Sequence, residues 1–216
     1  MNQEKQLCYK EFLPRSPAES LTAILKGSRA TRARVNSEAL LVVGIDAPIN
    51  VFWGKLAGGH EYLFTALAPG QGISDWLHDT DFPGNPEQLK LRRQLLTALG
   101  TFIGRMHACG FIHGNLTPDN VLVTLTHERF RFTLIDNERN IHKNPPPGKM
   151  LLRNLMQLNL LSPTELSRTD RMRFFLAWRR QMRDVSPVEG KILAAEAYQG
   201  AMRLLYGSSS SAAAHD

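Results

Sequence analysis

From Asn85 to Cys109 the chain repeats one pattern. Leu89, Leu95, Leu96, Leu99, Phe102, Ile103 and Met106 recur at three- and four-residue intervals, with mostly polar residues between them. That period gathers the apolar side chains on one face of an α-helix. Gly110 follows where a helix end favours glycine. Further on, the period changes to two. VLVTLT (Val121–Thr126) and FRFTLI (Phe130–Ile135) alternate apolar with polar or small residues. They predict two half-buried strands joined by a turn at Thr126-His127-Glu128-Arg129.

Upstream, short strands are expected at Leu7–Phe12, Val51–Leu56 and His60–Leu67, the last two around Ala57-Gly58-Gly59. Pro17 to Leu40 is mostly compatible with helix, broken at Gly27, and Ser28 is a capping residue for the stretch up to Leu40. Gly44 to Pro48 reads as a turn, and Ala68-Pro69-Gly70-Gln71-Gly72 as a linker between two lobes. The expected fold is therefore α+β and two-lobed. A small lobe spans residues 1–70 and a mainly helical lobe spans 71–207. The low-complexity tail SSSSAAAHD, 208–216, is expected to be disordered.

Composition refines this picture. The 216 residues, 43% hydrophobic, suffice for a core in one domain or in two small lobes around a cleft. Two cysteines, Cys8 and Cys109, make neither a disulfide framework nor a zinc spacing, so a reducing compartment is expected. The N-terminal MNQEKQLCYKEF lacks a signal-peptide core, and no run reaches the roughly 20 apolar residues of a membrane span. A soluble or peripheral, cytoplasmic protein is the expectation. A net charge of +6 suits an anionic partner as well as a plain basic surface. No nucleic-acid motif accompanies it, so none is expected to bind.

The chemistry lies in HGNLTPDNVLV, His113 to Val123, and in Leu134-Ile135-Asp136. Phosphoryl transfer needs metal ligands from two directions and a carboxylate near the attacking hydroxyl. A tight loop can present the base and, five residues on, an amide oxygen, while the following hairpin returns a second carboxylate to the same place. His113, Asn120 and Asp136 fall in register with the H-x-D-x-x-x-x-N loop and metal-binding aspartate of protein kinases. Asn115 stands at the base position. Isolated, His-Gly-Asn would be an ordinary turn; the loop, hairpin and aspartate together point to a kinase-like site. His113 is expected to be buried and to organise backbone bonds, and His107 to be a surface or packing residue.

Five segments extend the match: YKEF with Lys10, GSRATRARVNSEALLVVGIDAP from Gly27, HGNLTPDNVLV, LIDNERN from Leu134, and SRTDRMRFFLAW from Ser167 to Trp178. With them the chain resembles the lipopolysaccharide core sugar kinases, the Kdo and heptose kinase family. The resemblance implies that Lys10 binds the phosphates of ATP, that His113 organises the loop and that Asn120 and Asp136 ligate magnesium. It implies that Arg139 braces the metal-binding loop. The acceptor would be a sugar hydroxyl of the lipopolysaccharide core, at the cytoplasmic face of the inner membrane.

Three features depart from the family. Asn115 cannot accept a proton as the aspartate base does, and Asp119 is a weak substitute. No glycine-rich hairpin precedes Lys10. Ala33 stands where the helix glutamate that partners the lysine is expected, and Glu38 lies on another face. An ATP-dependent enzyme, a binding-only pseudokinase and a kinase for a different small molecule or sugar all remain open. Finally, Arg168, Arg171, Arg173, Arg179, Arg180 and Arg183 interleave with apolar residues in a C-terminal helix. Its aromatics are expected to pack inward while its arginines face solvent, where they could meet an anionic membrane surface.

Overall fold

The computed structural model describes residues 6–13, 27–56, 60–79 and 85–207. The first part of the expected helical stretch, residues 17–26, the Ala57-Gly58-Gly59 turn and the tail from Ser208 lie outside them. The first sheet has the antiparallel order β1–β3–β2, with β1 at Leu7–Phe12, β2 at Asn50–Lys55 and β3 at Glu61–Ala66. Lys10 pairs with Leu63 across β1 and β3. Helix α1, Arg29–Val42, packs on this sheet, and the Ser28 hydroxyl caps it by accepting the Thr31 N–H at 3.1 Å. Ala30 and Ala33 are small enough for α1 to approach closely, and they bury Phe12 and Leu63 in a separate small core. Among the described residues β1 pairs with β3 alone.

The stretch 68–72, read from sequence as the linker between lobes, ends in a short strand. Gln71–Gly72 forms β4, which pairs with Val123 and Leu122, and helix α2, Ile73–Asp79, begins directly after it. Helix α3, Pro86–Ala108, is the one that the apolar spacing predicts, with Asn85 capping the Glu87 N–H at 3.0 Å. Strand β5, Phe111–Ile112, leads into the loop. The hairpin β6–β7 spans Val121–Thr126 and Arg129–Leu134. His127 and Glu128 both have positive φ (49° and 60°), so the turn closes over two residues and β7 starts one residue before the predicted Phe130. Strand β8, Ile141–His142, returns to pair with β5.

Helices α4 (Gly148–Leu158), α5 (Arg168–Gln181) and α6 (Pro187–Gly207) complete the larger lobe. Its core runs through Leu95, Leu96, Ile103, Met106, Leu116, Val121, Leu134, Leu155 and Trp178. Helices α3 and α5 cross at Gly100 and Gly104. A Cβ at Gly100 would lie 2.3 Å from the Phe174 carbonyl oxygen, and one at Gly104 would lie 2.7 Å from that of Trp178. The two backbones are in direct contact there.

The aromatics of α5 pack inward as expected: Phe174, Phe175 and Trp178 are buried. One arginine does not follow the expectation. Arg171 is buried and donates to the carbonyl oxygens of Leu166 (3.1 Å), Asn159 (3.0 Å) and Leu161 (2.6 Å). It clamps the segment between α4 and α5. Asp170, beside it, closes a capping box with Ser167 and pairs with buried Arg92 at 3.0 Å.

Candidate active site

The loop that starts at His113 rests on a neutral polar support. Asn154, on α4, is wholly buried. Its Oδ1 accepts the His113 N–H (2.9 Å) and His107 Nε2–H (3.2 Å), and its Nδ2 donates to the His113 carbonyl (2.7 Å). Trp178 Nε1 donates to His107 Nδ1 at 2.9 Å, which leaves the His107 proton on Nε2. Burial pushes the His107 pKa down to about 4, so the ring is neutral at pH 7. One turn beyond Asn154, Gln157 Oε1 accepts the Leu116 N–H at 3.1 Å, and its Nε2 donates to Asn115 Oδ1 at 3.2 Å.

His113 is buried, and it ties the loop to the residue before Asp136. Its Nε2 donates to the Ile135 carbonyl at 3.0 Å, and its Nδ1 accepts the Asn115 N–H at 3.2 Å. Burial lowers its pKa, against the opposing pull of those two backbone bonds. Asn120 Nδ2 donates to the Asn115 carbonyl at 2.8 Å, which leaves its Oδ1 for a ligand. The Asn120 carbonyl accepts the Ile135 N–H at 3.0 Å, locking loop to hairpin end.

Asp136 then turns outward in a left-handed conformation, φ 63° and ψ 47°. Such backbone strain in a non-glycine residue recurs at functional sites. Its Oδ1 accepts a hydrogen bond from Lys10 Nζ. Burial alone would raise the Asp136 pKa, but the bond and charge of Lys10, with His113 and Arg139 nearby, hold it below the usual carboxylate range. Lys10, His113, Asn115, Asn120 and Asp136 thus form one connected cluster. An ionised carboxylate and an amide oxygen are hard donors of the kind that magnesium takes, so Asp136 and Asn120 could hold it.

Two positions limit what the cluster can do. Asn115 accepts from Gln157 through Oδ1, and an amide is too weakly basic to take a proton, so the base position can hydrogen-bond a hydroxyl but offers no general base. Asp119 is bound by the Ser74 hydroxyl at the start of α2.

The turn after Asp136 carries a second network. Glu138 is buried and receives two bonds from Arg29 Nη2, at 2.9 and 3.2 Å, and one from Arg29 Nε at 3.3 Å. Lys10 Nζ lies 3.6 Å from its other side. Arg32 reaches the Glu138 carbonyl at 3.4 Å, Asn36 the Asn137 carbonyl at 2.7 Å, and Asn137 Nδ2 donates to Ser37 at 3.2 Å. Arg139, expected to brace this turn, has a mostly exposed side chain and a long 3.7 Å ion pair with Glu138. The brace comes from α1. Glu38 pairs with Arg34 and Asn50 instead. Glu138, Arg29, Asn154 and Gln157 were not expected from the sequence. One signal was present for α1: Arg29, Arg32 and Asn36 recur at i, i+3 and i+7, which marks a polar face with its own partner.

A small sheet with one packed helix, a hairpin-borne aspartate and a histidine-anchored loop define a protein-kinase-like fold. Solved structures agree. WaaP in complex with acyl carrier protein matches with a TM-score of 0.66 and 22% identity, over 81% of this chain and 76% of that one. Aminoglycoside-3'-phosphotransferase of type VIII matches with a TM-score of 0.58 and 16% identity, over 90% and 84%. At such identities the likeness is one of fold. No curated protein sequence matches. The family comes from residues 17–178, which match the lipopolysaccharide kinase (Kdo/WaaP) family, and the chain belongs to it.

Proposed function

We propose that this chain is an ATP- and magnesium-dependent phosphotransferase whose acceptor is a sugar hydroxyl of the lipopolysaccharide core, slowed by Asn115. The observation behind this reading is the convergence of Lys10, Asn120 and Asp136. An ammonium meets an ionised carboxylate there, and an amide oxygen is left for a cation. Magnesium, when bound, would neutralise phosphate charge. Lys10 would hold the nucleotide phosphates, and Asn120 and Asp136 would hold the metal. Phosphoryl transfer depends mainly on positioning and electrostatics, so an amide at the base position weakens the reaction without abolishing it.

The test is calorimetric binding of ATP, with and without magnesium, alongside turnover on core oligosaccharide and on an aminoglycoside. Magnesium-dependent binding that Asp136→Ala removes, with turnover favouring the core sugar, supports the reading. Turnover favouring the aminoglycoside would reassign the acceptor. Binding without any turnover supports the second reading, a pseudokinase, which the non-basic amide of Asn115 favours. Asn115→Asp separates these two. Gln157 Nε2 can donate to an aspartate as it does to Asn115, so a working site gains about 10²–10⁴-fold in rate.

The site of action on this reading is the cytoplasmic face of an anionic membrane. No helix among the described residues is long and apolar enough to cross a membrane. Peripheral contact would use the outer side of α5, where exposed Met172 and Leu176 stand between Arg168 and Arg180. Sedimentation with anionic but not neutral vesicles, lost on reversing those arginines, is the expected result.

A further inference from the structure

In protein kinases the phosphate-binding lysine is held by a glutamate from the helix that packs on its sheet. Here that helix cannot provide one. Ala33 is an alanine buried with Phe12 and Leu63, and Glu38, the sole acid on α1, pairs with Arg34 and Asn50. We propose that Glu138 is the positioning counter-ion of Lys10, keeping its ammonium in the cleft when a cation engages Asp136, and that Arg29 anchors Glu138 to α1. This inference rests on the reading of the cleft as a magnesium–nucleotide site.

The argument starts from two carboxylates that face one ammonium. Lys10 Nζ contacts Asp136 and lies 3.6 Å from Glu138. The two acids differ in what else they can do. The Asp136 side chain is 37% exposed and turned outward, whereas that of Glu138 is 5% exposed. A divalent cation can therefore reach Asp136 and not Glu138. Once it does, the cation competes with Lys10 for the same charge, and the ammonium needs a second anion close by. Glu138 is that anion. It stays in place because Arg29 grips it through three hydrogen bonds, so one buried carboxylate faces Lys10 and Arg29, with Arg139 a third, largely exposed cation at 3.7 Å. The usual polarity is thereby reversed: the helix supplies the arginine and the metal-side turn supplies the acid. The position of α1 still governs the lysine, through Glu138 as intermediary.

The test reads Lys10 directly. The protein is acetylated with an N-hydroxysuccinimide ester, and the rate at Lys10 is followed by mass spectrometry against exposed Lys149 as internal reference. D136N imitates an Asp136 whose charge is already claimed. In D136N, Lys10 stays protected because Glu138 holds it, and in D136N/E138Q its rate rises about threefold, the scale of a half-exposed ion pair. An E138Q change that adds nothing in the D136N background overturns the proposal. Loss of the cooperative thermal transition, followed by circular dichroism on the same samples, marks unfolding. The comparison then moves to R29M/E138Q in the same background, which buries no lone charge and must show the same rise at Lys10 alone. Calorimetry of the wild type with magnesium-ATP runs alongside. Absence of nucleotide binding there sinks the kinase reading, while the acetylation rates still decide whether Glu138 holds Lys10.

Discussion

Behind the His113 loop, Asn154, Gln157, His107 and Trp178 are neutral, buried and bonded to one another. Where α1 meets the turn after Asp136, Lys10, Asp136, Glu138 and Arg29 all carry charge. Both regions hold the same site, and the difference separates two tasks. The neutral support fixes backbone geometry, and each of its members would leave a buried donor or acceptor stranded if removed. On the proposed function, the ionic junction holds groups whose charges respond when a nucleotide and its metal arrive. Rigidity comes from amides and imidazoles, and responsiveness from exchangeable ion pairs.

The comparison breaks most severely at Asn154. Asn154→Ala strands the His107 Nε2–H group together with the N–H and carbonyl of His113. A loss of about 4 kcal/mol is expected in urea unfolding at pH 7. At the ionic junction, Glu138→Gln leaves Arg29 without its carboxylate, and the same measurement should fall by about 3 kcal/mol. Arg29→Met with Glu138→Gln should recover most of that, because a buried ion pair often contributes little net stability. Failure to recover would mean that this region, too, is there for stability.

Acid sharpens the comparison. The His107 pKa is depressed from 6.5 to about 4 by burial, so the unfolded chain binds a proton that the folded one refuses. The stabilisation is present above about pH 6.5 and is lost as pH falls toward 4. Between pH 7 and pH 5 the loss is about 2 kcal/mol. His113, shifted in the same direction, adds to it. Thermal unfolding of His107→Gln should show a flatter pH dependence than the wild type over that range. The smallest effect belongs to Lys10→Met, which removes a half-exposed ion pair and should cost less than about 1 kcal/mol.

Much of this was legible in the chain, for reasons that particular residues illustrate. Helix α3 announces itself because seven apolar residues repeat at its period. The β6–β7 hairpin does so because its alternation is clean. The His113, Asn120 and Asp136 spacing carries the site because loop and hairpin lengths fix where side chains return. The pairing of Arg29 with Glu138 spans 109 residues of sequence and has no period. Arg171 looks like its solvent-facing neighbours and is buried, because its partners are backbone carbonyls that no side-chain pattern records. The burial of Asn154 and Gln157 is hidden in the same way, since a polar residue on a helix normally signals solvent.

The contact of α3 with α5 bears on how the gene can vary. Every amino acid other than glycine brings a carbon into the space between Gly100 and Phe174 or between Gly104 and Trp178. In a saturation library selected for a folded product, those two codons should hold glycine in nearly every survivor. The exposed positions on the same helix, Arg93, Gln94 and Thr97, should drift freely.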